Sequence, residues 1–146
     1  LRLGFSKASI AVNNDLIEGA VNELNGVVGW LSLFGLTYLS DPSHNALNKT
    51  INVASSIVEE EFCNFVRAMG SRRYVTIINA LKHGASWSEV RRYFELKEGR
   101  EMSDSEVAKL LRKLVDNGFI AEESGQYIII DPMLRRISDR VKCARI

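Results

Sequence analysis

Three cations spaced as on a helix are the first feature of the sequence that could do chemistry. Lys109, Arg112 and Lys113 are three and four residues apart, so a helix would carry all of them on one face. Ser103 and Ser105 precede them, at the start of the same segment, where hydroxyl groups can reach phosphates or base edges. These five residues predict a DNA-contacting helix.

The same segment also supports a second interpretation, a solvated helix face. It contains three carboxylates, which are Asp104, Glu106 and Asp116. Phosphate-binding surfaces gain affinity mainly from uncompensated cations, so these acids argue against DNA contact. Further cations could extend a phosphate-contacting surface, or could instead pair with Glu89 or Glu95 at the protein surface. They are Arg72, Arg73, Arg91 and Arg92.

No set of residues in the chain has the spacing of a catalytic or metal centre. The phosphate-binding loop G-x-x-x-x-G-K-[ST] is absent, so the chain is not expected to cradle a triphosphate. His44 and His83 have no neighbouring nucleophile or second ligand. The three carboxylates of Glu59–Glu61 would point in different directions on a helix. We therefore predict no catalytic residue, no metal ligand and no enzyme activity for the chain by itself.

Residues 71–130 contain the elements that would position the cations. S-x-x-E capping boxes at Ser86–Glu89 and Ser103–Glu106 begin the second and third of three amphipathic segments. The runs Phe119–Glu123 and Gln126–Ile130 flank the turn Ser124–Gly125, which predicts a β-hairpin. Three short helices followed by a hairpin is the order of a winged helix-turn-helix. Acidic residues at the hairpin turn (Glu122 and Glu123, beside Ser124) would repel phosphates and favour a protein partner.

The apolar spacing predicts the helices and their buried faces. The third helix of this region, Ser103–Asn117, is expected to bury five residues: Val107, Leu110, Leu111, Leu114 and Val115. Residues 96–102 are expected to form a connection longer than a minimal turn. Asp131–Pro132 is expected to begin a final helix rich in cations. These cations are Arg135, Arg136, Arg140, Lys142 and Arg145.

The first 70 residues have the pattern of a small helical bundle. A first helix is expected to end at Gly4, and a second to be capped by Asn14 or Asp15. An apolar helix from about Val28 to Leu39 is expected to be buried on almost all sides. A long helix then runs to about residue 68. The predicted division is therefore a helical domain over 1–70 and a winged-helix domain with a C-terminal helix over 71–146.

Charge and composition limit the environment of the chain. Of 146 residues, 46% are hydrophobic and 25% charged, as in ordinary folded proteins. Residues 1–70 hold 4 Lys/Arg against 7 Asp/Glu, a net charge of −3, and residues 71–146 hold 15 against 11, a net +4. No apolar run approaches the ~20 residues that span a bilayer, so no membrane partner is expected. We expect a cytoplasmic protein in which Cys63 and Cys143 are buried or free thiols rather than a disulfide.

The first 35 residues resemble the lid of archaeal AAA+/STAND-type ATPases, in which a winged helix follows the lid. The similar segments are Gly4–Phe5, the helix to Leu24, Asn25–Leu31 and Phe34–Gly35. Val28 stands where the family has proline, and Asn25 where it has the first glycine. The fold that the resemblance implies is mainly α, a helical lid-like bundle followed by a winged helix-turn-helix with a small β-hairpin.

The resemblance also implies where nucleotide would bind. Gly26, Val28, Gly29 and Trp30 would lie near the nucleotide in the intact ATPase. ATP and Mg²⁺ are expected only in the full-length parent, whose core would precede Leu1, and no cofactor is expected in this chain. The start at Leu1 rather than Met agrees with a piece of a larger polypeptide, although processing gives the same start.

Three functions follow as hypotheses. The first is the C-terminal regulatory and binding portion of an archaeal-type ATP-binding AAA+ ATPase, whose winged helix binds double-stranded DNA or a protein partner. That protein partner would be the upstream ATPase core or another protein. The second is a stand-alone winged-helix DNA-binding transcription regulator with a helical dimerisation region. The third is a protein-interacting scaffold.

Overall fold

The computed structural model describes residues 1–144, which are mainly helical. The chain forms two compact units, Leu1–Ile57 and Val58–Ile146. The long helix α4, Ala46–Met69, contributes residues to both units. The predicted joint near residue 70 lies just after the end of this helix, where Gly70 adopts a φ of 65°.

The first unit contains three helices and the beginning of α4. They are α1 (Arg2–Lys7), α2 (Asn14–Glu23) and α3 (Val28–Ser40). Phe5 stands edge-on against Phe34 and Tyr38, with ring centroids 6.4 and 5.3 Å apart. Ala20 and Leu24 of the second helical segment are fully buried. Burial of these apolar side chains holds the unit together.

Three predictions about the first unit are wrong in detail. Helix α1 continues through Gly4, because a glycine with an ordinary helical backbone does not stop a helix. Helix α2 is capped by Asn13, whose side chain accepts a hydrogen bond from the amide of Asp15. Helix α3 buries only Phe34 and Tyr38, whereas Val28 is 77% and Leu36 64% exposed. Helix α3 is apolar on more sides than the first unit buries, so several of its apolar side chains are exposed.

The second unit has the order of a winged helix-turn-helix, which confirms the predicted fold class. After α4 come α5 (Arg73–Ala80), β1 (Ala85–Ser86), α6 (Trp87–Glu98), α7 (Asp104–Asp116), β2 (Ile120–Glu123), β3 (Gln126–Ile129) and α8 (Pro132–Ile137). The sheet is antiparallel in the order β1–β3–β2. Strand β1 has only two residues, too few to give a sequence pattern, and was not predicted.

The hairpin forms at the predicted turn. Ser124 and Gly125 both have positive φ, 51° and 76°, the backbone that two-residue hairpin turns require. Ile120 pairs with Ile129 and Glu123 with Gln126, so the two strands are in register up to the turn.

The end of α4 belongs to the core of the winged helix. The rings of Phe62 and Phe65 lie 5.2 and 5.0 Å from that of Phe119, which follows α7. Phe65 also stands edge-on against Tyr74 of α5 at 5.0 Å. The second compact unit therefore begins inside α4, about a dozen residues before the predicted domain boundary.

The C-terminal segment differs from the prediction in two respects. Helix α8 ends at Ile137, so Arg140 and Lys142 lie beyond it, and Arg145 lies outside the described residues. Cys63 of α4 and Cys143 form a disulfide with their Cα atoms 5.2 Å apart, so the expectation of free thiols is wrong. The two cysteines are 80 residues apart, so no local sequence pattern predicts that the fold brings them together.

Candidate nucleic-acid interface

Helix α7, which carries the predicted DNA-contacting residues, begins where its capping box predicted. The Ser103 hydroxyl accepts a hydrogen bond from the Glu106 amide at 3.3 Å, and the Glu106 carboxylate accepts one from the Ser103 amide at 3.2 Å. These hydrogen bonds favour the ionised carboxylate and lower the pKa of Glu106. The equivalent box of α6 joins Ser86 and Glu89.

One face of α7 packs into the winged helix. Val107, Leu111 and Leu114 are buried, as predicted, whereas Leu110 is only half-buried. Val115 is 39% exposed, so its assignment to the core is wrong. It lies at the edge of the apolar stripe and borders a cleft between α7 and the hairpin.

The opposite face carries Lys109, Arg112 and Lys113, and all three are exposed. None of them forms an ion pair with another of residues 1–144. The fold therefore brings the three cations to one exposed surface and leaves their charge available to an anionic ligand.

Arg91 and Arg92 of α6 have different surroundings. Arg91 pairs with Glu95 at 3.0 Å and with Asp104 at the start of α7 at 2.6 Å. Arg92 is exposed and has no ion pair among residues 1–144. Of these two predicted contacts, Arg91 is already paired with carboxylates, whereas Arg92 is not paired within residues 1–144.

The two serines at the start of α7 lie together. Their hydroxyl oxygens are 3.2 Å apart, and both residues are exposed. The Ser103 hydroxyl is engaged in the cap, whereas Ser105 has no other side-chain hydrogen bond within the described part of the chain. Ser105 is thus the hydroxyl with the greater freedom to meet a ligand.

Arg73 of α5 joins three helices. Its guanidinium donates to both carboxylate oxygens of Glu98, at 2.8 and 2.9 Å, and to Glu106 at 3.3 Å. Arg100 reaches the same two glutamates at 3.2 and 3.6 Å. Helix α6 runs to Glu98, so the expected long connection from residue 96 is shorter than predicted. The sequence predicts Glu106 as a capping residue but does not predict the network, because its partners are 25 and 33 residues apart.

The hairpin, which is the wing of the fold, is acidic. Glu122 and Glu123 are exposed beside the turn. Tyr127 on the adjacent strand has a raised pKa, because it is partly desolvated and because Glu122 lies beside its hydroxyl. Glu122 and Tyr127 face Arg112 and Val115 across the cleft that borders α7.

The predicted nucleotide-proximal residues lie at the entrance of α3 in the first unit. Asn25 and Gly26 both have positive φ, 51° and 70°, in a tight turn. Val28 is largely exposed, Gly29 has open space beside its Cα, and Trp30 is half-buried. The turn contains no lysine, and the proximity of these residues to a nucleotide stays a prediction.

Residues 1–144 contain neither a metal-binding cluster nor a membrane-spanning helix. No group of three or more His, Cys, Asp or Glu side chains has a metal-binding arrangement within that range. No helix of the described chain is long and apolar enough to cross a membrane.

Comparisons with known proteins agree with this architecture. Residues 69–130 match the family model of the MCM protein C-terminal winged helix-turn-helix domain. The chain is similar in structure to a Walker-type ATPase of Pyrococcus abyssi, with a TM-score of 0.82 and 31% sequence identity. The match covers 94% of this chain and 39% of the ATPase. A comparison with curated protein sequences gave no match.

The predicted resemblance is confirmed by these two matches. The family model covers the three helices and the hairpin, and the structural match extends over almost all of both units. A winged helix of this kind is generally a non-catalytic module. In sequence, residues 69–130 are similar to an MCM-type C-terminal winged helix-turn-helix domain, and in structure almost the whole chain is similar to part of an archaeal Walker-type ATPase.

Proposed function

We propose that the chain is the regulatory and binding portion of an ATPase and that its winged helix binds double-stranded DNA through α7. The observation that supports this most directly is the exposed, unpaired state of Lys109, Arg112 and Lys113. Each cation that neutralises a phosphate releases a counterion, so unpaired cations on one helix face provide affinity for DNA. Ser105, on the first turn of α7, and Arg92, on α6, would extend this face.

The contrast between paired and unpaired cations in the winged helix supports the proposal. Arg73, Arg91 and Arg100 are held by carboxylates of the fold, whereas the three cations of α7 are not. A helix face that served only for solubility would gain from local ion pairs with Asp104 or Asp116, yet neither residue pairs with these three cations. The α7 charges are therefore suited to a partner outside the chain.

ATP and Mg²⁺ would be bound by an ATPase core outside these residues. The matched ATPase is much longer than this chain, and the chain contains no phosphate-binding loop of its own. Exposed apolar side chains in the first unit, including Leu3 at 69%, Val28 at 77% and Leu36 at 64%, would suit the docking of such a core. The first unit would then transmit the nucleotide state to the winged helix.

A protein partner is the second candidate, and the acidic wing favours it. Glu122 and Glu123 would repel the phosphates of a duplex placed against the hairpin. The cleft beside them, with the partly exposed Val115, could accept an apolar side chain of a cationic peptide. A stand-alone transcription regulator stays a further hypothesis. It would be excluded if the parent sequence contained an ATPase core.

The DNA proposal is tested by removing the three cations together. Lys109→Ala/Arg112→Ala/Lys113→Ala is expected to weaken duplex binding roughly 30-fold and to lower the slope of log K against log salt by about 3. Fluorescence anisotropy with a labelled duplex at several salt concentrations measures both quantities.

The matched control is Arg2→Ala/Lys7→Ala/Lys49→Ala, which removes the same charge from the first unit. It is expected to change the affinity less than threefold and to leave the salt slope unchanged. If both variants bind the duplex like the parent chain, α7 is not the DNA-binding surface. Binding of a cationic peptide that is lost in Glu122→Gln/Glu123→Gln would then favour the protein partner.

A further inference from the structure

We propose that Arg73 is the positioning residue of the recognition helix α7, an inference that deepens the proposed DNA binding and rests on it. Arg73 contacts no ligand in this scheme. It fixes the start of α7 against α5 and α6, and thereby sets where the cations of α7 stand relative to Arg92.

The connection between α6 and α7 needs such a restraint. Helix α6 ends at Glu98, and Gly99 follows in the left-handed conformation with φ 67°. Residues 99–103 then lead to α7 with no regular structure, and within them Met102 alone is buried. A connection of this length with one buried anchor leaves the direction of the next helix to contacts made elsewhere.

Besides the buried face of α7, Arg73 supplies such contacts from a single side chain at the start of the helix. Its two parallel hydrogen bonds to Glu98 hold the last turn of α6, and its third bond holds Glu106, which caps α7. Planar guanidinium groups favour this two-oxygen geometry, and charge-assisted bonds are stronger than neutral ones. The network is partly shielded, since the Arg73 and Glu98 side chains are only 31% and 23% exposed.

An ordinary surface ion pair would contribute little, and this is the competing interpretation. Three features distinguish Arg73 from such a pair: bidentate geometry, partial burial and a link among three separate helices. Glu106 also connects the network directly to the Ser103 amide at the first turn of α7. Loss of Arg73 should therefore loosen that turn before it affects the rest of the winged helix.

The first experiment measures amide hydrogen exchange in Arg73→Ala. The amides of Glu106, Val107 and Ala108 are expected to exchange roughly tenfold faster, as expected for the loss of a charge-assisted hydrogen bond, while those of strand β3 are unchanged. Arg72→Ala is the matched control, because Arg72 is exposed, adjacent, equal in charge and without an ion pair among residues 1–144. Uniform acceleration of all amides would overturn the proposal, and so would equal protection in both variants.

Arg73→Lys separates geometry from charge. Lysine keeps the charge but presents a single ammonium group, which cannot bond both oxygens of Glu98 in parallel. It is expected to show most of the local acceleration seen in Arg73→Ala. Full protection in the lysine variant would mean that charge alone suffices, which contradicts a positioning role.

The second experiment uses DNA and distinguishes positioning from contact. Arg73→Ala is expected to weaken duplex binding about fivefold with an unchanged salt slope, whereas Arg112→Ala lowers the slope by about 0.9. A reduced slope for Arg73→Ala would make Arg73 a phosphate contact and overturn the proposal. If the parent chain binds no duplex, the proposed function fails, and the exchange measurement still decides the role of Arg73.

Discussion

At the scale of single residues, the cations of the winged helix fall into two groups. Arg73, Arg91 and Arg100 pair with carboxylates that belong to neighbouring helices, so they serve the fold. Lys109, Arg112 and Lys113 share a helix with carboxylates and pair with none of residues 1–144. The sequence predicted five of the six on amphipathic helices and Arg100 in the connection between two of them, but spacing along one segment cannot reveal partners that lie on another helix.

The capping carboxylates make a prediction about pH. Hydrogen bonds from the Ser86 and Ser103 amides lower the pKa of Glu89 and Glu106 below the ordinary value of 4.5. The stabilisation from the ionised carboxylates is therefore complete above pH 4.5 and is lost as the pH falls through the lower folded-state values. Glu89→Gln/Glu106→Gln should lose less stability than the parent chain between about pH 6 and about pH 3, as measured by urea unfolding.

Glu59→Gln/Glu60→Gln is the control for this pH dependence. It removes the same number of carboxylates from exposed or half-buried positions of α4 and leaves both caps intact. Its loss of stability on acidification should match that of the parent chain. Identical acid sensitivity in the capping variant and the parent would show that the caps do not contribute.

At the scale of elements, the capping boxes determine where α6 and α7 begin. Both S-x-x-E patterns form the reciprocal hydrogen bonds that the sequence predicted. Local patterns were sufficient here because all the groups involved lie within four residues. Helix α3 is the opposite case, since its nearly continuous apolar sequence predicted burial but much of its surface is exposed.

Removal of one cap should therefore lower the free energy of unfolding by a measurable amount. Ser103→Ala removes the hydroxyl that accepts a hydrogen bond from the Glu106 amide, and should lower the free energy of unfolding by about 1 kcal/mol. Ser105→Ala, two residues later on the same helix, leaves this bond intact and should change stability by less than about 0.5 kcal/mol. Chemical denaturation of the two variants compares them directly, and equal midpoints would contradict the role of the cap.

At the scale of the whole molecule, the order of elements could be predicted and their long-range partners could not. The three helices and hairpin of residues 71–130 follow from periodicity, caps and a glycine turn, all local signals. The aromatic contacts of Phe62 and Phe65, the short strand β1 and the Arg73 network depend on residues far apart in sequence. For the candidate interface, the sequence predicted which residues share a face of α7. Only the fold shows that the three cations on this face form no ion pair within residues 1–144.

The disulfide is the strongest of these long-range links and supports the last prediction. Cys63 and Cys143 close a loop across nearly the whole second unit, and further bonds hold the same segment, including Asn79 to Ser138 and Lys82 to Asp139, both at 2.5 Å. Constraint of an unfolded loop of this size stabilises the folded chain by about 4 kcal/mol.

Reduction should therefore lower the free energy of unfolding by about that amount, ~4 kcal/mol, in guanidinium titrations with and without reductant. Cys63→Ser/Cys143→Ser should already have the lower stability and should show no response to reductant. Because the remaining side-chain bonds to α5 persist, the reduced chain should still be folded and cooperative at low denaturant. A reductant-insensitive parent chain, with a thiol titration that finds two free cysteines, would show that the link is absent and that the C-terminal segment is held by the α5 contacts alone.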